Sequence, residues 1–486
     1  MTSARLESEN FSGPAPGGSD DRGNKRWVLL VATLGSFLTP FMGSSINIAL
    51  PAIGKEFALG AAQLGWIATS FLLAAAMFLV PFGRIADIWG KKKVFAAGIS
   101  IFTVSSLLSG LSPSAPLLIS FRALQGIGSA MIFGTATAIL TSVFPLGERG
   151  NALGINVASV YLGLSLGPSL GGLLTEHWGW RSIFLVNVPL GLTLLALVLA
   201  KWKGEWAEAR GERLDWTGSL LYSLTLIAIM YGLSLLPSPS GLWLVLIGLL
   251  GTLGFLRWEA RTASPVLEVN LFRENRAFAL SNLAALINYS ATFAVGFLLS
   301  LYLQYVRGLS PQQAGLILVS QPAVMAVLSP FAGRLSDRME PRIVASIGMA
   351  LTAAALVLFI FLQERTPWGF IVSGLVLLGL GLALFSSPNT NAVMSSVEKR
   401  SYGVASGILG TMRLIGQMLS MGAAMLLITL YLGRGQITPE SYSLLLQSSK
   451  VAFALFALLC SGGVFASLAR GRGRRGNEIE RRVLDF

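Results

Sequence analysis

Apolar residues run along this chain in long unbroken blocks, not in the one-face periodicity of a soluble helix or strand. A helix needs about 20 apolar residues to cross a hydrocarbon layer of about 30 Å. Fourteen blocks reach or approach that length, at 27–51, 64–82, 94–111, 116–144, 152–175, 182–201, 216–236, 242–256, 278–303, 313–331, 343–362, 369–397, 403–430 and 451–468. The pattern predicts an all-α fold, a polytopic membrane bundle of about fourteen transmembrane helices. The short block 242–256 decides the topology. With it the count is even and both ends of the chain lie on one side; without it the second half is inverted.

Loop charge tests that count. With the N-terminus inside, 28 of the 36 Lys and Arg residues fall in inner segments and six in outer loops. This asymmetry follows the positive-inside rule and predicts a multi-pass protein of the cell (inner) membrane with both termini cytoplasmic. Composition agrees: hydrophobic residues make up 53% and charged residues 12%, against roughly 25% charged in soluble domains. The net charge of +13 does not point to nucleic acid, because the positive residues sit in short loops and not on one face of a soluble domain. Residues 1–24 are polar and rich in Gly, Pro and Ser, and are expected to be a disordered cytoplasmic tail. Residues 470–486 form a basic cytoplasmic tail, a topology anchor that can also touch anionic headgroups. Cys460, the only cysteine, is expected to be a packing residue.

One polar junction recurs. PFGRIADIWGKKKV at 81–94 is echoed by SPFAGRLSDRMEPRIV at 329–344. Gly83, Arg84, Ala86 and Asp87 answer to Gly333, Arg334, Ser336 and Asp337, a spacing of 250 residues from Gly83 to Gly333. Six helices need roughly 200 residues, and the excess matches the pair of blocks within 216–256. The plan is an N-terminal six-helix half (25–201), a linker with two inserted helices (202–257) and a C-terminal six-helix half (258–469). Parallel repeats of this kind place a binding site near the midplane, between the halves.

Three further motifs lie in the first half. Helix 4 carries Arg122-Ala-Leu-Gln125-Gly126. A guanidinium within a span faces the bundle interior or water, or else snorkels to an interface. Helix 5 carries Gly163, Gly167, Pro168, Gly171 and Gly172; small residues four apart let helices touch backbone to backbone, and proline favours a bend. Next come Trp178, Trp180, Arg181, Asn187, Pro189 and Gly191, with the aromatic pair suited to an interfacial belt. His177, the single histidine, falls in that outer loop. Together with the repeated junction, these motifs resemble the major facilitator superfamily, and closely its fourteen-helix drug:proton antiporter branch. The resemblance runs from Trp27 to about Leu468. It implies a conformational lock at Gly83, Arg84, Asp87, Gly90, Gly333, Arg334 and Asp337. It also implies that the helix 5 motif goes with export; a reading of that motif as packing alone leaves the direction of transport open.

The resemblance breaks in helix 1, which reads Phe41-Met42-Gly43-Ser44-Ser45-Ile46-Asn47-Ile48-Ala49-Leu50-Pro51. Met42 stands where the branch carries an aspartate implicated in proton coupling. No carboxylate is placed in mid-span, whereas Arg122 and Arg413 remain within spans; Asp87, Glu56 and Asp215 are the nearest acids for a longer coupling route. Substrate contact is expected at Ser44, Asn47, Arg122, Gln125, Asn288, Tyr289, Asn389 and Arg413. The function expected is a secondary transporter exporting hydrophobic small molecules by alternating access, with proton coupling. A second reading is an exporter of a specific anionic or lipid-like metabolite without that coupling; a third, of another class, is a non-transporting sensor or assembly protein. No enzyme motif, metal cluster or cofactor signature is present in the sequence. The partners expected are the lipid bilayer, a small hydrophobic substrate and protons, with no nucleic acid, and the working unit is expected to be a monomer.

Overall fold

The computed structural model describes residues 19–470, apart from 208, 213, 263, 264, 266, 268, 398–401 and 434. Fourteen helices are long and apolar enough to cross a membrane. They are α1 (Gly23–Phe57), α2 (Ala62–Trp89), α3 (Lys91–Gly110), α4 (Ala115–Val143), α5 (Asn151–Trp178), α6 (Ser182–Ala200) and α7 (Trp216–Leu235). They continue as α8 (Pro239–Glu259), α9 (Arg276–Val306), α10 (Pro311–Ser336), α11 (Pro341–Ile360), α12 (Trp368–Ser396), α13 (Val404–Leu432) and α14 (Pro439–Leu468). The even count puts the described ends of the chain on one face, called here the terminal face.

Several helices outrun their apolar blocks because polar caps start them early. The doubtful eighth block becomes a full span: Pro239 occupies the first turn and the Ser238 hydroxyl accepts from the Gly241 amide at 3.3 Å. At α10, Ser310 and Gln313 form a reciprocal capping box. One expectation needs correction. The first helix begins at Ser19, so residues 19–24 of the expected disordered tail are helical, while residues 1–18 lie outside the described residues. Of the basic tail, 471–486 also lie outside them.

The repeat seen in the sequence is a repeat of backbone contacts. Gly98 on α3 meets Gly128 on α4, and Gly348 on α11 meets Gly381 on α12 in the same way. Gly126 abuts the Phe71 carbonyl of α2, as Gly379 abuts the Gln321 carbonyl of α10. Gly163 abuts the Phe37 carbonyl of α1, as Gly416 abuts the Leu286 carbonyl of α9. In each pair a β-carbon would strike backbone, so glycine sets the helix separation. Within the halves α1 lies on α5, α2 and α3 on α4, α9 on α13, and α10 and α11 on α12. Between the halves α2 lies on α13 and α5 on α10. The inserted helices α7 and α8 lie on each other, and α7 also touches α2 and α13.

Candidate substrate site

Five helices bring four hydroxyls and one guanidinium together in mid-span. The Tyr161 hydroxyl of α5 lies 3.0 Å from Ser386 Oγ of α12, and the Tyr289 hydroxyl of α9 lies 3.3 Å from the same atom. Ser329 of α10 lies beside the Tyr161 hydroxyl, with its own Oγ donating to the Met325 carbonyl at 2.6 Å. The Arg413 guanidinium of α13 lies 5.0 Å from the centre of the Tyr289 ring. Its Nε has no partner, and among the described residues no carboxylate pairs with it. Tyr161, Ser386 and Arg413 each stand about ten residues from the terminal-face end of their helix. At 1.5 Å per residue that is about 15 Å, half the hydrocarbon thickness. Tyr161, Tyr289 and Arg413 are half-buried. Asn389, one turn along α12 from Ser386, is buried with its side-chain oxygen unpartnered.

From this layer to the face opposite the termini, the halves are joined. Ser165 Oγ donates to the Pro322 carbonyl at 2.9 Å, and Ser300 Oγ donates to the Asn47 carbonyl at 2.6 Å. Gln304 Nε2 donates to the Ile48 carbonyl at 3.0 Å. Glu176 accepts from Ser310 Oγ at 2.6 Å and from the Gln312 amide at 2.9 Å. Gln436 Nε2 donates to the Ala58 carbonyl at 2.9 Å. Among the described residues, hydrogen bonds between the two halves stop at the tyrosine layer. The conformation is therefore closed at the face away from the termini.

The helix 5 motif has two faces. Gly163, Gly167 and Gly171 turn to α1, where their β-carbons would meet the Phe37 carbonyl, Ser44 and Ser45. Tyr161, Ser165, Pro168 and Gly172 turn to the other half, where Pro168 meets Gly315, and a β-carbon on Gly172 would lie 2.5 Å from the Pro311 carbonyl oxygen. Spacings of four, three and four residues keep that second stripe on one helix face. The sequence reading singled out the glycines and missed Tyr161, Ser165, Ser329 and Ser386; the helical spacing back from Gly172 was the available signal.

The expected substrate residues separate into two groups. Tyr289, Asn389 and Arg413 belong to the mid-span layer. Arg122 and Gln125 lie inside the N-terminal half, 1% and 0% exposed. There Arg122 Nε donates to the Ile67 carbonyl at 3.1 Å and Nη1 to Gln125 Oε1 at 2.5 Å, and the guanidinium lies 4.5 Å from the Phe71 ring centre. Gln125 passes the chain on to Ser106 Oγ at 2.7 Å. Ser44 bonds back to the Pro40 carbonyl at 2.9 Å within the α1–α5 seam. Asn47 lies in the α1–α9 seam with its side-chain oxygen unpartnered, and Asn288 is fully buried with both amide atoms unpartnered.

The first copy of the repeated junction is held by the segment between α6 and α7. Ala209 N donates to the Asp87 carbonyl at 3.0 Å, Lys91 N to the Trp206 carbonyl at 2.9 Å and Lys92 N to Glu205 Oε1 at 2.8 Å. Gly90 (φ 118°) leaves room for the Glu205 carboxylate, which a β-carbon would displace. Arg84 pairs with Glu212, and Asp87 with Lys91 at 3.5 Å. Trp202 is buried beneath this strap against Phe95. In the second copy, Gly333 lies near Ser387, Arg334 is exposed, and the Asp337 side chain lies outside the described residues. The other acids named from sequence are engaged: Glu56 takes bonds from Trp180 Nε1 and Arg181 Nη1 at 2.7 and 2.8 Å. Asp215 caps α7 and accepts from Trp258 Nε1 at 2.8 Å.

Comparison with known proteins gives a consistent family. The family model described as Major Facilitator Superfamily matches residues 32–258 and 281–482. The multidrug resistance protein Stp of Mycobacterium tuberculosis is 33% identical over 398 residues, 80% of this chain and 73% of that one. The riboflavin transporter RibZ of Clostridioides difficile is 30% identical over 390 residues, 80% of this chain and 85% of that one. Among solved structures, a bacterial homolog of the human lysosomal transporter Spinster, inward-facing and unoccupied, superposes with a TM-score of 0.69 at 18% identity. It covers 93% of this chain and 98% of its own, and shares the fold.

Proposed function

The chain belongs to the major facilitator superfamily, and from that premise we propose that it exports small hydrophobic or amphiphilic molecules across the cell membrane by alternating access. The observation that carries this reading is the polar layer of Tyr161, Tyr289, Ser386 and Arg413. It is shared between the halves at mid-depth, and among the described residues the other hydrogen bonds that join the halves lie on the side away from the termini. A substrate enters from the terminal face, meets the layer and leaves when the α5–α10 and α2–α13 seams part. The 28 Lys and Arg residues of the terminal-side segments support a cytoplasmic terminal face and hence an inward-facing state. One chain carries both halves of the layer, which suits a working monomer.

A proton gradient is the proposed energy source, on the resemblance of the α5 motif to antiporters. With Met42 at the usual acid position, coupling runs through a carboxylate elsewhere. Everted vesicles from a host lacking its own pumps test the reading. An imposed pH gradient should drive accumulation of a neutral or charged fluorescent amphiphile, and an ionophore that collapses the gradient should abolish it. Accumulation no greater than in vesicles without the protein sinks the proposal. Arg413, a mid-span cation with no carboxylate partner among the described residues, favours the second reading, an exporter of anionic compounds.

A further inference from the structure

We propose that Arg413, with Tyr289 and Tyr161 around Ser386, is a clamp for an oxyanion, and that the preferred substrates are amphiphiles bearing a carboxylate or sulfonate. The proposal rests on the export reading above and names the substrate class for that same layer.

The two in-span arginines make the case by contrast. A guanidinium in a membrane interior costs several kcal/mol unless something compensates it. Arg122 is compensated by the protein: a backbone carbonyl, a glutamine oxygen and aromatic faces surround it, and 1% of it is exposed. It is a finished structural arginine. Arg413 is left unfinished. Its polar neighbours are the Tyr289 and Tyr161 hydroxyls, its Nε is unpartnered, and it stands half-buried.

The surrounding groups add donors, not negative charge. Tyr161 and Tyr289 both reach Ser386 Oγ, which has a single proton and two lone pairs. The two phenolic hydroxyls and the Ser386 hydroxyl therefore form one hydrogen-bonded set, next to a cation with three nitrogens. An oxyanion placed there accepts from the guanidinium, in the bidentate fork that suits carboxylate and sulfonate. The tyrosine hydroxyls can turn to it as further donors. A cationic ligand meets an uncompensated positive charge in a medium of low dielectric and is repelled. The apolar body has a surface at hand: Leu79 of α2 faces Gly410, one turn from Arg413, where a β-carbon would lie 3.4 Å from its Cδ2.

The clamp also crosses the moving seam. Tyr161 belongs to the N-terminal half, whereas Ser386, Tyr289 and Arg413 belong to the other. An anion held by Tyr161 and Arg413 together ties occupancy of the site to the relative position of the halves.

Three probes with one fluorophore and different charge test this: N-dansyl-leucine, its methyl ester and dansylcadaverine. Titration of the full-length protein in nanodiscs should give the carboxylate an affinity at least about tenfold above the ester, the worth of one charge-assisted hydrogen bond. The ammonium probe should bind no tighter than the ester. Arg413→Gln should remove the preference for the carboxylate, Arg413→Lys should restore part of it, and Tyr161→Phe should weaken the carboxylate alone about threefold. Equal affinity for acid and ester in the unmodified protein overturns the clamp, and so does an Arg413→Gln variant that discriminates as well as the unmodified protein. Uptake into everted vesicles separates the two proposals. Equal uptake of acid and ester leaves export standing and removes the clamp. An Arg413-dependent preference in binding with no uptake of any probe keeps the clamp and removes export.

Discussion

The amide nitrogen of Asn187 lies 3.4 Å from the sulfur of Met42, and neither side chain has exposed surface. Asn187 also donates to the Ile183 carbonyl at 2.8 Å, leaving its side-chain oxygen unpartnered. Position 42 therefore faces the packing between α1 and α6, not the layer between the halves. Met42→Leu exchanges similar volumes and should lower stability by less than about 1.5 kcal/mol with transport retained. Met42→Asp buries a carboxyl beside one amide donor, itself shared with the Ile183 carbonyl, and should lower stability by several kcal/mol without conferring gradient-driven uptake of cations. Thermal unfolding of the purified variants and vesicle uptake check both. A stable Met42→Asp protein with new pH-driven cation transport would place this position on the transport path.

The two faces of α5 separate folding from gating. A β-carbon at Gly167 would meet the Ser44 side chain, and one at Gly172 the Pro311 backbone across the seam. Gly167→Ala should destabilise the N-terminal half by about 1–3 kcal/mol. Adding Ser44→Gly should recover at least about 1 kcal/mol of that beyond the sum of the single changes. Gly172→Ala should leave unfolding near that of the parent and instead keep the seam from closing. A cysteine introduced as Gln312→Cys would then react faster with a membrane-impermeant maleimide. If both glycine variants unfold alike and label alike, the two-face account is wrong.

The helices were legible because a bilayer demands length and apolarity, which a single sequence displays directly. The duplication was legible because the junctions containing Asp87 and Asp337 repeat at a fixed spacing. The site was only half legible. Arg122 and Arg413 look alike as arginines in apolar runs; what separates them is the Ile67 carbonyl, contributed to Arg122 by another helix, and the Gln125 side-chain oxygen. Tyr161 was hidden for a related reason. Its partner Ser386 lies 225 residues away, and only the superposition of stripes on α5 and α12 joins them. Helix ends were misplaced where polar residues continue a helix beyond the apolar run, as at Ser19.

The strap between α6 and α7 should owe its hold to burial more than to charge. Trp202 is 2% exposed, with its ring centre 5.7 Å from that of Phe95 and 6.3 Å from that of Trp206. The Arg84–Glu212 pair is 26% and 52% exposed, which limits its worth to about 1 kcal/mol or less. Trp202→Ala should cost about 3 kcal/mol and free the strap, so that trypsin cuts at Lys203 and Arg210 several-fold faster. Glu212→Ala should change the cutting rate less than twofold. Equal rates for the two variants would mean that burial of Trp202 does not hold the strap.

Two of the latches at the face away from the termini stand in equivalent places of the repeat, and they differ in charge. Where α5 meets α10, the Glu176 carboxylate accepts from Ser310 Oγ and the Gln312 amide, at the positive end of the α10 dipole. Where α13 approaches the start of α2, a neutral amide serves: Gln436 donates to the Ala58 carbonyl and pairs with Gly60. The charged latch should be the stronger, though Glu176 is exposed and its worth is accordingly held to about 1 kcal/mol. Glu176→Ala should then shift the equilibrium toward opening at that face about fivefold. Glu176→Gln should shift it less, and Gln436→Ala least. Because a charge acting on a helix dipole is screened by salt, the difference between Glu176 and Glu176→Gln should shrink as ionic strength rises, while the Gln436→Ala effect stays constant. Distances between spin labels at the ends of α5 and α10, measured in bilayers at low and high salt, give these populations directly. Unchanged distance distributions in Glu176→Ala would show that backbone contact at Gly172 and Gly315 closes the seam without the carboxylate.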